Sequence, residues 1–421
     1  EADGGVLDSI GTNSGTVVGA VLASGGAVLD RGAAPQVVTV APIDADEVAD
    51  GDVQLELVVA DSEEDEFVAD FYLRQVSMAD DFTIVVLPDT QYYSDPDSGK
   101  GGEAQFFHDQ TQWIRDNREL YNIVGVIHNG DIVNHGARDE EWAIADAAMA
   151  RLETAEPALP EGMPYGVTIG NHDLNTFEQT DDSGNFNKYF GVARFAGRDY
   201  YGGHYLGDND ENWVTYWAGG LQFVVVNLQW DETPSPAVLA WARSVFEAHP
   251  DAFGILNTHF LLDGQGEFGA QGEAIYEALK STTNVHLMTC GHVSNEQRRT
   301  DVFQGHPIHT MLADYQNEPE GGAGYLRVWE FSPANDELTV RTYSPTKDMW
   351  LTEDRSEFTL AIDMPGAGGP FEKIATIDPA GSGVATTVPG LAKGGTYEWY
   401  AEVSDCAHTV KTDVQRFTTA P

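Results

Sequence analysis

The chain has 421 residues, enough for two or three domains, and 42% of them are apolar, enough for folded cores. Its 68 acidic and 22 basic side chains give a formal charge of −46; a surface so acidic repels nucleic acid and anionic lipid and reads as solubility, salt tolerance or calcium binding. No apolar run reaches the roughly 18 residues of a membrane helix, so neither a nucleic acid polymer nor a bilayer span is expected. The two cysteines, Cys290 and Cys406, lack metal-ligand spacing and read as free thiols. The sequence starts at Glu1 with no methionine or signal peptide, which reads as a mature or trimmed fragment.

Residues 1–35, rich in Gly, Ala, Val and Ser without a helical period, read as a linker or a weak β segment. From 36 to 77, "VQLELVVA" and "EFVADFYLRQ" alternate apolar and polar around the acidic turn "DSEEDE", the pattern of antiparallel strands. The run Asp44 to Asp52 offers carboxylates to calcium, but it lacks the spacing of an EF-hand, and a solvated acidic turn is the preferred reading. Residues 80–363 change texture. Strands at "FTIVVLP", "NIVGVIH", "MPYGVTI", "LQFVVVNL", "AFGILN" and "NVHLMTC" are interleaved with helical stretches, one with Phe106, Trp113 and Ile114 on a face and one with Trp142, Ala145, Met149 and Leu152. "TMLADY", "YLRVWEF" and "ELTVRTY" add strands without helices between them. The mixture predicts an α/β domain of two packed sheets between helices. Residues 366–420 return to alternating strands, and "YEWYAEVSD" with "VQRFTT" resembles the end of a fibronectin type III module. Neither end can close a two-sheet sandwich alone, whereas their sum matches the seven or so strands of an immunoglobulin-like domain. One split β-sandwich, 36–77 with 366–420, is therefore expected around the central domain.

Five buried strands are each followed by residue types that bind metals or move protons. These are Asp89 and Gln91; Gly130-Asp131; Gly170-Asn171-His172-Asp173; His259; and Gly291-His292. Loops at the carboxyl ends of strands gather at one sheet edge. Carboxylate, amide oxygen and imidazole suit hard and borderline divalent cations, and a shared carboxylate can bridge two ions during in-line displacement at phosphorus.

These motifs, in this order, resemble those of the calcineurin-like metallophosphoesterases, over about residues 82–345. The resemblance implies a two-sheet α-β-β-α sandwich, two divalent ions (Mn, Zn, Fe or Mg) and a small phosphoester substrate. It assigns Asp89, Gln91 and the bridging Asp131 to one metal, and Asp131, Asn171, His259 and His292 to the other. It makes His172 the catalytic proton donor or phosphoryl contact, with Asp173 orienting it. The implied activity is that of a metal-dependent phosphoric ester hydrolase, cleaving mono- or diesters by metal-activated hydroxide.

Two positions depart from the family pattern. Gln91 stands where His is common, and Ser294 stands where a last His is expected, so the first metal site should be the weaker, with Glu296 near enough to compensate. Asn134 occupies the position of the iron-binding tyrosine of purple acid phosphatases, which argues against a ferric charge-transfer site. His128 and His135 read as structural or supporting residues, and His204, Arg298 and Arg299 as candidates for substrate contact. The cysteines leave the compartment undecided; a secreted or cell-surface protein is expected, with the sandwich available to a surface or assembly partner. Two other readings stand beside the first: a catalytically degenerate binding or scaffold protein, and a nucleotide pyrophosphatase or phosphodiesterase.

Overall fold

Along the strand Leu221–Leu228, successive side chains enter different cores, and this alternation defines the middle of the chain in the computed structural model. Phe223 and Val225 join one apolar cluster, while Val224, Val226 and Leu228 join a second. A period of two can fill two cores only if both faces of the sheet are covered. The structure describes residues 81–364 without a gap, together with 6–7, 14–15, 21–23, 26–28, 35–42, 46–48, 51–60, 67–76, 371–380, 383–393, 395–405 and 408–420. Two units follow from the contacts: Ala79–Ala367, and Glu1–Met78 with Gly368–Pro421.

The first unit holds two seven-stranded sheets. One runs in the order Tyr165–Val167, Ile123–His128, Phe82–Leu87, Leu326–Ser332, Glu337–Ser344, Met349–Leu351, with Phe358–Ala361 also paired to Glu337–Ser344. Its first three strands are parallel. The other runs Tyr201–His204, Asn212–Ala218, Leu221–Leu228, Phe253–Thr258, Val285–Cys290, His306–Asp314, Asn295–Phe303, and the four from Leu221 to Asp314 in that order are parallel. Both sheets feed the first cluster, where Phe82, Phe223 and Phe331 pack ring to ring at 5.1–5.4 Å between centroids. Cutting Phe223 back to alanine there would cost about 3–5 kcal/mol. Helices Ala104–Asp116 and Asp139–Met149 join that cluster through Phe107, Ile114, Trp142 and Met149. Helices Pro236–Glu247 and Ala270–Leu279 cover the opposite face of the second sheet through Ala242, Phe246, Ile275 and Leu279. Mixed sheets with helices are what the alternation predicts.

Three buried asparagines tie the sheets together behind the strand ends. Asn257 Nδ2 donates to Asn227 Oδ1 at 2.8 Å and to His128 O at 3.0 Å. Asn227 Nδ2 donates to Asn212 Oδ1 at 2.9 Å, and Asn212 Nδ2 reaches Val167 O at 3.1 Å. This chain of amide hydrogen bonds fixes one sheet against the other, and its members are costly to orphan. "MPYGVTI" yields a shorter strand than its composition predicts, Tyr165–Val167, because the chain turns away at Gly170 into the loop described below.

In the second unit, Gln36–Ala41, Gly51–Ala60 and Gly383–Leu391 form one sheet. Glu372–Ala380, Phe67–Val76, Thr396–Ser404, Gln415–Thr419 and Asp46–Val48 form another, with Thr409–Lys411 on Thr396–Ser404. Val53, Leu55, Leu57 and Val59 are buried while the residues between them are exposed, and they share a core with Phe67, Phe71, Trp399 and Phe417. Both chain ends thus supply strands to both sheets. Among residues 1–35, Val6–Leu7 pairs with Ser14–Gly15, and Val21–Ala23 with Gly26–Val28. Cys406, part of the acidic run 44–52 and much of 1–35 lie outside the described residues. Cys290 is buried and free, its thiol pushed up to about 12 by that burial. Among the described residues no helix is long and apolar enough to cross a membrane.

Candidate metal centre

Parallel strands carry their carboxyl ends to the same edge, and here six strand ends deliver polar side chains to one place. Asp89 and Gln91 follow Phe82–Leu87, Asp131 follows Ile123–His128, and Asn171 follows Tyr165–Val167. His259 and His292 follow Phe253–Thr258 and Val285–Cys290, and Asp314 closes His306–Asp314. All but the half-buried His292 are buried.

The turns permit close approach. A Cβ on Gly170 would stand 2.1 Å from Asp131 Oδ1, and one on Gly291 would stand 2.1 Å from Asp89 Oδ1; only glycine leaves room for these carboxylates. Asp131 and His292 adopt left-handed backbone, with φ of 48° and 72°. Non-glycine residues held there cost of order 1–3 kcal/mol each and cluster at functional sites.

Four donor atoms converge on one side. His259 Nε2 lies 3.1 Å from Asn171 Oδ1, 3.2 Å from Asp131 Oδ1 and 3.3 Å from His292 Nδ1. His292 Nδ1 lies 3.0 Å from Asn171 Oδ1. The remaining nitrogen of His259 donates to Asn129 O at 2.8 Å, so Nε2 of the neutral ring offers its lone pair inward. Donors sharing one ion at about 2.0–2.2 Å stand about 3 Å apart, and this set fits a divalent cation.

The opposite side is carboxylate and amide. Gln91 Nε2 donates to Asp131 Oδ2 at 3.2 Å and to Gln316 Oε1. Gln316 Nε2 donates to Asp314 Oδ2 at 2.8 Å, and its backbone N–H to Asp314 Oδ1 at 2.8 Å. Gln91 Oε1 is buried with no hydrogen-bond partner among the described residues, a costly state for a polar atom that a cation would relieve. The ligand atoms of Asp89, Asp131 and His259 all lie within 4.8 Å of one another, so the two sides adjoin through Asp131.

Electrostatics demand positive charge here. Burial and then Asp314 push the Asp89 carboxyl well up, and burial pushes Asp314 up to about 7. Asp131 behaves oppositely: burial disfavours its charge, but His259 outweighs burial and holds it at about 2. His259 is pushed up to about 10, because Asp131 and then Asp89 overcome its desolvation. One imidazolium thus faces three buried carboxyl groups, and a bound cation would replace its proton.

His172 stands at the rim. Its backbone N–H donates to Asp131 Oδ1 at 3.0 Å, and its Nδ1 donates to Asn134 O at 2.9 Å, which leaves Nε2 for a substrate. The ring meets Phe177 edge-on at 4.9 Å, and Phe177 is 54% exposed. Asp173 does not orient the ring, contrary to the expectation from the motif. Its carboxylate accepts from Val133 N at 2.9 Å and Gly170 N at 2.8 Å, so it shapes the two turns that carry Asp131 and Asn171. Burial and the Asp131 charge push its carboxyl up, while those two donors pull it down.

The support around His172 was not foreseen. Asn134 Nδ2 donates to Asp95 Oδ2 at 2.7 Å. Glu141 Oε2 accepts from Asn134 N at 2.9 Å and His135 N at 2.7 Å, and Oε1 meets His135 Nδ1 at 2.9 Å and Arg138 Nη1 at 3.2 Å. Asp95, His135 and Glu141 are close enough to hold a metal, but these donors already occupy their oxygens. His128 is buried and pushed down to about 3 by burial and His259; it accepts from Gly130 N at 3.2 Å and meets Thr90 Oγ1 at 3.0 Å, a supporting role.

Other expected residues are engaged elsewhere. His204 Nδ1 pairs with Tyr201 OH at 3.1 Å. Arg298 donates to Asp354 O at 2.6 Å and lies over the Phe358 ring, and Arg299 pairs with Asp301 and Glu267. Glu296 does not compensate for Ser294: its carboxylate holds Tyr315 OH at 2.7 Å, Thr342 Oγ1 at 3.0 Å and Arg327 Nη2 at 3.1 Å. Ser294 Oγ accepts from Asn317 N at 3.1 Å. Asp314 and Gln316 are the members that motif reading missed; the available signal was a sixth apolar strand, "TMLAD", ending in a carboxylate.

Comparison with known proteins agrees with this geometry. "Uncharacterized protein YvnB" of Bacillus subtilis (strain 168) is 36% identical over 299 residues, which is 68% of this chain and 22% of that protein; the chain thus spans about a fifth of its relative. The calcineurin-like phosphoesterase family model matches residues 82–295, from the strand before Asp89 to just past Ser294. Asp89, Asp131, Asn171, His259 and His292 all fall inside that match and meet where strand ends of the two sheets adjoin, so the chain belongs to the calcineurin-like phosphoesterase family.

Proposed function

We propose that the chain hydrolyses phosphate mono- or diesters where these strand ends meet, with Asp131 shared between two divalent ions. The observation that carries this reading is the set of donors around His259 Nε2, with Asn171 Oδ1, Asp131 Oδ1 and His292 Nδ1 at 3.1, 3.2 and 3.3 Å from it, beside a histidine whose Nδ1 is held by Asn134 O. Asp89, Gln91 and Asp131 would hold one ion; Asp131, Asn171, His259 and His292 the other. Bound there, the ions would polarise a phosphoryl oxygen and lower the pKa of an attacking water. In its imidazolium form, with Nδ1–H held by Asn134 O, His172 would give the Nε2 proton to the departing alcohol oxygen and be left as the neutral Nδ1–H ring. Phe177, exposed beside that ring, would flank the leaving group.

The test is metal analysis of the purified protein, then assay of p-nitrophenyl mono- and diesters with Mn²⁺. Turnover that a chelator abolishes and Mn²⁺ restores is expected. Stoichiometric metal without turnover of any phosphoester would favour the scaffold reading, which rests on Ser294 standing where an imidazole is usual.

The flanking sheets support a further part of the proposal. The strands from 36–77 and 366–420 would form one immunoglobulin-like sandwich into which the hydrolase is inserted, in a secreted or cell-surface protein. Glu372–Ala380 pairs with Phe67–Val76, and Trp399 stacks on Phe71 at 6.0 Å. Deleting 366–421 should expose the apolar face of 36–77 and render it protease-sensitive; continued protection would refute the split sandwich.

A further inference from the structure

We infer that Asp314, clamped by Gln316, is the fourth protein ligand of the first metal site, taking the place that Ser294 leaves unfilled. The inference rests on the phosphoesterase reading above and adds a residue that the family match, ending at 295, does not contain.

The sheet places Asp314 there. His306–Asp314 lies parallel to Val285–Cys290 with Leu312 opposite Cys290. Asp314 ends its strand two residues beyond Leu312, and His292 lies in the turn just past Cys290, so the two stand at neighbouring strand ends. On its other side Asp314 faces Asn295 in the antiparallel pairing, one residue from Ser294. Ser294 itself is turned to the backbone, where Asn317 N occupies its hydroxyl.

The side chains agree. Asp314 is 2% exposed, and among the described residues its oxygens are held by Gln316 alone, through the backbone N–H at Oδ1 and the side-chain amide at Oδ2, each at 2.8 Å. The same amide reaches His292 O at 3.3 Å, and Gln316 Oε1 accepts from Gln91. Asp314, Gln316, Gln91 and Asp131 therefore form one continuous chain. Within it, Gln91 Oε1 is buried and has no partner among the described residues, a second donor in want of a cation. Three carboxylates and an amide oxygen make a hard oxygen site, suited to Mg²⁺ or Mn²⁺.

The experiment is equilibrium dialysis of the chelator-stripped full chain against Mn²⁺, counting bound ions by atomic emission. The wild type should take two equivalents. Asp314→Asn should keep the first, tight equivalent, which reports an intact fold and intact imidazole ligands, and weaken the second at least about tenfold. Gln316→Ala, which removes the clamp and no ligand, should weaken only the second, and by less. If Asp314→Asn loses both equivalents, Gln316→Ala decides. An unchanged second equivalent in Gln316→Ala and in any Asp314→Asn that retains the first, or a wild type that takes one equivalent only, overturns the inference. A wild type that takes none overturns the phosphoesterase reading itself.

Discussion

The two halves of the metal centre share Asp131 and differ in almost everything else. On one side two imidazoles and an asparagine oxygen stand 3.0–3.3 Å apart, with His259 held by Asn129 O and the backbone N–H of His292 donating to Asp89. On the other, carboxylates and glutamines hold one another through amide hydrogens, and one amide oxygen has no partner. The first half suits borderline cations such as Zn²⁺, the second hard ones such as Mg²⁺ or Mn²⁺. The difference teaches that one carboxylate can stand between two donor sets of unlike chemistry. On the reading proposed above, a neighbouring strand would supply through Asp314 the ligand that Ser294 does not.

The harshest way to break this comparison is to remove the imidazole half. His259→Ala should abolish tight metal binding and activity, a larger loss than the roughly 10–100-fold that follows removal of an outer partner. It also leaves Asp131 and Asp89 without their neutralising charge. Full metal content in that variant would dissolve the distinction between the halves.

His172 belongs to neither half, and its removal separates proton transfer from metal binding. His172→Asn should retain both ions and slow turnover by roughly 10²–10⁴-fold, with a smaller loss for esters of acidic alcohols. Equal losses across leaving groups would exclude proton donation by Nε2.

A subtler probe concerns support. Glu141→Gln weakens the acceptor for Asn134 N and His135 N and so loosens the carbonyl that holds His172 Nδ1. We expect kcat to fall about tenfold, within the range for outer partners, with metal content unchanged; lost metal would show instead that Glu141 supports the ligands.

Much of this centre was legible because the chemistry is local in sequence. Each of five apolar strands runs directly into its ligands, and the glycines of Gly170-Asn171 and Gly291-His292 announce close turns. Asp314 was not legible, since an aspartate after a strand is ordinary loop composition until the sheet order sets it beside His292. Glu141 was hidden differently: it sits in the acidic first turn of Asp139–Met149, where glutamate is expected for the helix dipole alone. His204 and Arg298 show the reverse error, residue types suited to phosphate whose partners are Tyr201 and Phe358. The terminal strands were visible from their period of two, while the partner of each strand was not, because pairing across some 300 residues leaves no local trace.

The smallest effect compares histidines rather than ligands. His259 is pushed up by carboxylates, whereas His286, on the strand that leads to His292, is pushed down to about 3 by burial and then by His306. A histidine depressed in the fold contributes stability fully above its unfolded value of about 6.5, and that contribution is lost as pH falls from there towards 3. His286→Phe should flatten the acid slope of stability by up to one proton, about 1.4 kcal/mol per pH unit, with metal binding untouched. An unaltered slope in denaturant melts between pH 6.5 and 4 would show that His286 protonates freely in the folded state.

The central claim, two adjoining sites of unlike strength bridged by Asp131, is tested most directly by following Mn²⁺ binding and turnover in one titration of the stripped protein. The account predicts two resolved steps, a tight one at Asp131, Asn171, His259 and His292 and a weaker one at Asp89, Gln91 and Asp314, with activity rising only along the second. Activity that saturates with the first equivalent would show a one-metal enzyme and contradict it.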